Sequence, residues 1–243
     1  IRMPRRRRLQ IAGIPVHVVQ RGVNRARCFD GHESYHRYLA LLEETSCANE
    51  CEVHAYVLMT NHVHLLMTPH RPDSISAVMK NLGQQYVQGF NRTRKRSGPL
   101  WEGRFHSSLV DSAGYLLRCQ RYIELNPVRA GMVPWPEQYQ WSSYRANALG
   151  EESAVVSAHP YFMALATSPD DRRREYRRLF GVDVNGEIES IRHALNAGYP
   201  LGSLEFLARL KRLDPRLVAQ HRGRPRRPKD ARRDAFRQMG KGV

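Results

Sequence analysis

His62 and His64 stand two apart in the stretch HVHLLMT (62–68). On a β-strand, residues i and i+2 point to the same face, so both imidazoles can share one metal ion. With 11 histidines in 243 residues, an H-x-H pair arises by chance in roughly one such chain in two, so the pair needs further partners. Tyr122 and Asn126 lie four apart in a segment of helical pattern and therefore share a helix face. A tyrosine nucleophile and a metal-binding amide would then project together at the His62/His64 strand. The same spacing also suits a core tyrosine followed by an asparagine that ends the helix before Pro127. Tyr115, two helical turns earlier on about the same face, is the competing hydroxyl.

A second arrangement, His32-Glu33-Ser34-Tyr35-His36, has the H-E-x-x-H pattern. In zinc peptidases two histidines a helical turn apart bind the metal and the glutamate is a general base. Here the pattern falls where a helix begins after a basic loop, with no obvious third ligand. Exposed polar residues at a helix start are the simpler reading.

The scaffold for these groups follows from the hydrophobic pattern. Residues 15–20 (PVHVVQ) predict a strand and 21–32 a polar loop. Tyr35, Tyr38, Leu39 and Leu42 at i, i+3, i+4, i+7 predict an amphipathic helix over 34–49. Residues 51–59 form a strand with Val53, Ala55, Val57 and Met59 on one face, and Thr60-Asn61 turns the chain into a strand at 62–68. Pro72-Asp73-Ser74 opens a helix with a stripe of Ile75, Val78, Met79, Leu82, Tyr86 and Phe90, leading into the basic segment 91–98. A strand at 105–110 and a helix over 113–126, capped by Asp111-Ser112 and stopped by Pro127, complete the series.

The order β, α, β, β, α, β, α, with a hairpin-joined strand pair, predicts an α+β fold. It is a ferredoxin-like antiparallel sheet with packed helices on one or both faces, ending near 141–144. Texture changes over 150–169. Short helices at 170–180, 187–197 and 203–213 then predict a small C-terminal helical region. Beyond Gln220 the chain is Arg, Pro, Gly and Lys with little to bury, a basic tail expected to be disordered until bound. The expected units are thus 4–149, 150–219 and 220–243.

Lys and Arg number 39 against 23 Asp and Glu, a formal net charge of +16, so a polyanion is the expected partner. Basic residues recur in blocks: Arg5, Arg6, Arg7 and Arg8; then 92–96; then 172–178; then 222–233. One block is readily a solvated face; several of one sign favour nucleic acid over a membrane surface lacking an amphipathic anchor. Arg222-Gly223-Arg224-Pro225 could lie in a narrow A·T minor groove with Arg222 and Arg224 inserted, or be a flexible basic tail. Cys28, Cys47, Cys51 and Cys119 show no CxxC pair, so reduced thiols are expected. No run of about 20 apolar residues and no signal-peptide pattern occur, so the expectation is a cytoplasmic protein without membrane contact. No P-loop is visible, so no nucleotide cofactor is expected.

Taken together, YVLMTNHVHLL (56–66), GPLWEGRFHSSLV (98–110) and YLLRCQRYIELNPVRAGMV (115–133) resemble the REP-associated tyrosine transposases, relatives of the single-tyrosine HUH transposases of bacterial insertion sequences. The resemblance spans about 4–144 and implies the HUH endonuclease fold. It implies His62 and His64 as metal ligands, Tyr122 as the nucleophile, and Asn126 where a third metal-binding side chain is expected. The implied metal is Mg²⁺ or Mn²⁺. The implied substrate is a single-stranded hairpin from repetitive extragenic palindromes, cut by in-line attack to leave a 5′-phosphotyrosine. Arg5 to Arg8, Arg21, Asn24, Arg25 and Arg104 are the candidates for holding the strand through phosphates and splayed bases. Monomer and homodimer are both known among such relatives, and a nucleoid location would follow from the substrate. Two other readings stay open: a non-catalytic hairpin or A·T-rich DNA-binding protein, and a zinc peptidase using His32 and His36.

Overall fold

The structure is a computed structural model that describes residues 10–181 and 185–218. The expected Arg5 to Arg8 contacts and the basic tail with Arg222 and Arg224 lie outside the described residues. A four-stranded antiparallel sheet, ordered β2-β3-β1-β4, is built from β1 (Val16–Arg21), β2 (Cys51–Met59), β3 (His62–Pro69) and β4 (His106–Leu109). That is the strand order of the ferredoxin-like split β-α-β arrangement.

Helices α1 (His32–Ala48) and α2 (Ser74–Thr93) are the crossovers between β1 and β2 and between β3 and β4, and they pack on each other and on β2. Their buried stripes, Tyr38 and Leu42 with Ile75, Val78, Leu82 and Tyr86, join one apolar core with Val18, Leu58 and Leu65. Helix α3 (Ser112–Glu124) packs on β2 and β3, and its Tyr122 ring meets the rings of His17 and His64 from the sheet. Leu65 and His64, neighbours on opposite faces of β3, are both buried, so the sheet is covered on both sides.

Val53 does not share a face with Ala55, Val57 and Met59. Val53 pairs with Met67 and Ala55 with Leu66, so His54 is an extra residue in β2. Such a bulge reverses side-chain parity along the strand. The inserted imidazole is held at both nitrogens, Nδ1 at 2.8 Å from the Ser157 carbonyl and Nε2 at 2.8 Å from Thr68 Oγ1.

Pro127 does not stop the third helix either. After Leu125, itself in helical conformation, the chain continues as α4 (Asn126–Arg129). Proline has no N–H for the Ile123 carbonyl one turn back. The Asn126 side chain supplies the missing donor: its Nδ2 lies 3.2 Å from the Ile123 carbonyl and 2.9 Å from that of Tyr122.

The remaining helices are α5 (Pro160–Met163), α6 (Pro169–Arg178), α7 (Asn185–Ala197) and α8 (Leu204–Leu213). Helix α7 packs against α3 and β4. Ile191, Leu201, Phe206, Leu210 and Leu217 belong to the same apolar core as the sheet. Beyond β4 the chain at Leu201 is hydrogen-bonded to Leu109 and Asp111, and beside β2 the chain at Trp141, Ser143 and Ser157 is bonded to Leu58, Tyr56 and Val53. Between α3 and α6 the fully buried Glu124 carboxylate accepts from Ser143 Oγ (2.6 Å), Asn147 Nδ2 (2.8 Å) and Tyr176 Oη (2.7 Å). Among the described residues no helix is long and apolar enough to cross a membrane, and all four cysteines are free.

Candidate active site

Antiparallel register places the candidate groups. Arg21 of β1 faces His62 of β3, Val19 faces His64, and on the other side of β1 Val19 faces His106 of β4. Directly opposed residues share a sheet face, so His17, Arg21, His62, His64 and His106 all project on the side covered by α3. There a cleft of about 430 Å³ is lined by Arg21, His62, His64, Glu102, His106, Tyr122, Asn126, Arg129 and Arg192, with apolar walls from Val19, Met59 and Leu195. The structure thus brings Tyr122, His62, His64, Asn126 and Arg21 to one cavity.

Each histidine of the H-x-H pair has one ring nitrogen engaged. His62 Nδ1 lies 2.7 Å from Asn61 Oδ1, and His64 Nδ1 lies 2.9 Å from Nε2 of the buried His17. The tautomers in which both Nδ1 atoms carry hydrogen leave both Nε2 lone pairs free for a metal, the usual outer-shell arrangement of imidazole ligands. Burial pushes His62 down to about 4, helped by the Arg21 charge. It pushes His64 well below the usual imidazole range, with His17, His62, Arg21 and Arg129 adding to the effect. His17 is driven by burial alone to about 3. All three rings are therefore neutral at pH 7, as metal ligation requires.

The Asn126 amide nitrogen is committed to the helix carbonyls, so its Oδ1 is the atom left to face the cleft. Two imidazole nitrogens and an amide oxygen are a donor set suited to a divalent cation, with Mn²⁺ or Zn²⁺ matching imidazole better than Mg²⁺ does. Among the described residues no three His, Cys, Asp or Glu side chains converge on one point, so the amide is the protein's third candidate ligand.

Tyr122 is 7% exposed and sits edge-on to His17 and His64, with ring centroids 5.8 and 5.9 Å apart. The Arg129 guanidinium lies 4.5 Å from the centroid of its ring, a cation–π contact, and Arg129 Nη1 is buried with no hydrogen-bond partner. Tyr115 does not line the cleft, and its ring lies under Arg118.

Asn24 and Arg25 occupy the exposed turn that follows β1, both with positive φ (50° and 59°). Gly22 makes this turn possible, since a Cβ there would sit 2.2 Å from the Ala26 carbonyl oxygen. Asn61 ties the turn to the cleft, its Nδ2 donating to the Arg25 carbonyl at 3.1 Å. Arg104 is exposed on the loop between Glu102 and β4 and does not itself line the cleft. The H-E-x-x-H residues share α1, but His32 and His36 both pack edge-on against the indole of Trp141, at 5.2 and 5.0 Å. They are not part of any group of three or more potential metal-ligating side chains.

Sequence reasoning did not reach His17, Glu102, His106, Arg129 or Arg192. Same-face parity with Arg21 on β1 would have found His17. Arg129 is two turns beyond Tyr122, which would have placed it near the ring. For Arg192, far along the chain on α7, no local signal exists.

Residues 10–126 match the family described as IS200-like transposases. A Haemophilus influenzae protein described as a REP-associated tyrosine transposase is 26% identical over 110 residues, covering 41% of this chain and 62% of that protein. The chain therefore spans about three fifths of the length of that curated relative. A solved structure of a REP-associated tyrosine transposase bound to a REP hairpin aligns with a TM-score of 0.53 at 17% identity. That alignment covers 65% of this chain and 93% of the other, a likeness of fold.

Proposed function

We propose that this chain, whose residues 10–126 match the family described as IS200-like transposases, is a single-stranded DNA endonuclease and strand transferase with Tyr122 as its nucleophile. The observation that carries the reading is that Tyr122, His62, His64 and Asn126, from a helix and a strand far apart in sequence, line one cleft with three arginines.

His62, His64 and Asn126 would hold a divalent cation, Mg²⁺ or Mn²⁺, which when bound supplies Lewis-acid stabilisation of charge on a phosphate oxygen. The chain's own groups account for the rest. Arg21 and Arg129 make the cleft attractive to a phosphodiester. Tyr122 Oη attacks phosphorus in line: the Oη–P bond forms, the P–O3′ bond breaks, the phenolic proton leaves, and the departing oxygen takes up a proton as a 3′-hydroxyl. One diester replaces another, so a second 3′-hydroxyl can reverse the step without a nucleoside triphosphate. The net charge of +16, together with the hairpin held by the structural relative, supports hairpin DNA of repetitive extragenic palindromes as the substrate.

The test is incubation with end-labelled hairpin oligonucleotides in Mn²⁺ or Mg²⁺, read on a denaturing gel beside Tyr122→Phe and His64→Ala. A covalent adduct to the new 5′-phosphate, absent from both variants, is expected. Tight binding without adduct across hairpins and metals would instead identify a non-catalytic hairpin binder.

A further inference from the structure

Helix α7 lies beyond the residues that match the family, yet it closes one side of the cleft. Ile188 and Ile191 line a small space with Tyr122, Leu125 and Arg129. One turn of helix places Arg192, Leu195 and Asn196 on the cleft wall itself. The Arg192 guanidinium pairs with Glu189 at 3.0 Å through Nη1 and lines the same cleft as the Tyr122 side chain. Arg129, from α4, covers the face of the same ring. Tyr122 thus has one guanidinium across the face of its ring and a second on the adjoining cleft wall.

We propose that Arg192 is a catalytic residue of strand cleavage, its guanidinium stabilising the negative charge that grows on Tyr122 Oη, with Arg129 as a positioning residue on the ring. This rests on the reading of Tyr122 as the nucleophile. A phenol, with a pKa near 10, is a poor nucleophile at neutral pH. Charge must accumulate on its oxygen as the proton leaves, before the bond to phosphorus is complete. A guanidinium is always charged and its donors lie in a rigid fork, so one already held by Glu189 on the cleft wall it shares with Tyr122 needs little reorganisation as that charge develops. Glu189 steadies Arg192 through one nitrogen and leaves its other donors for an oxygen in the cleft. Because that pair is solvent-exposed, it contributes little to folding, and replacing Arg192 leaves the fold in place.

The experiment is single-turnover cleavage of a labelled hairpin oligonucleotide in Mn²⁺ by the full chain, its Arg192→Ala and Arg192→Lys variants, with hairpin affinity and melting temperature measured in parallel. Arg192→Ala is expected to slow adduct formation on the order of 100-fold with hairpin affinity within about threefold. It should slow rejoining by an added 3′-hydroxyl by a similar factor, since both directions share one transition state. Arg192→Lys should recover part of the rate, and millimolar guanidine should restore part of it to the alanine variant. An alanine variant that cleaves within twofold of the parent would overturn the proposal. So would a loss confined to hairpin affinity and indifferent to guanidine, which would make Arg192 a strand contact. If the parent itself forms no adduct, the assignment of Tyr122 falls and this proposal with it. An adduct formed equally by parent and alanine variant overturns only the role of Arg192.

Discussion

Asn61 Oδ1 lies 2.7 Å from His62 Nδ1, while the amide nitrogen of the same side chain donates to the carbonyl of Arg25 in the left-handed turn after β1. One residue thus fixes the tautomer of a candidate ligand and anchors a candidate strand-binding turn. Asn61→Ala should weaken Mn²⁺ binding about 10-fold to 100-fold, as loss of an outer-shell partner does, and hairpin affinity in the absence of metal should fall as well. Electron paramagnetic resonance titration and a gel shift in chelator measure the two effects. Unchanged Mn²⁺ affinity would show that Asn61 does not orient the ring.

Asn126 has a structural duty beside its place in the cleft. Asn126→Asp keeps an oxygen for a metal but turns a donor into an acceptor against two buried carbonyls. It should cost about 1–3 kcal/mol of stability, read as a lower urea midpoint. A midpoint equal to the parent's would mean that water replaces the lost donor.

Glu124 links folding to pH. Burial pushes its carboxyl from the ordinary 4.5 up to about 7, against the lowering effect of its bonds to Ser143, Asn147 and Tyr176. Between those values the folded chain holds a proton that the unfolded chain has released, so stability falls as pH rises through this window, by about 3 kcal/mol in all. Glu124→Gln cannot ionise. Its melting temperature should therefore gain on the parent's from pH 5 to pH 8, and a constant difference across that range would refute the assignment.

Tyr115→Phe should leave adduct formation within twofold of the parent, because Tyr115 is outside the cleft. His36→Ala should leave the metal content of the purified protein unchanged, because His36 packs on Trp141. Loss of bound zinc in the His36 variant would revive the peptidase reading.

The sheet and its crossover helices were legible because their patterns are local. The 51–59 and 62–68 strands around Thr60-Asn61, and the stripe from Ile75 to Phe90, carry their period within a few residues. The convergence of Tyr122 with His62 and His64 was legible only through the family resemblance, since i, i+4 spacing fits a core tyrosine equally well. The His54 bulge was hidden because a parity change needs knowledge of the partner strand. Continuation past Pro127 was hidden because Asn126 reads as a terminator unless its side chain is seen donating to Ile123. Arg192 reaches Tyr122 only through the packing of α7 on α3.

Exposed strand edges are where one β-protein recruits another, because their unpaired N–H and C=O groups template a further strand. Here Leu201 is bonded to Leu109 and Asp111 beside β4, and Trp141, Ser143 and Ser157 bond to β2 at the opposite border. A second copy therefore cannot lengthen this sheet without first prising off its own chain's flanking segments. Among the described residues, the two borders of the sheet are thus taken by the chain itself at these positions.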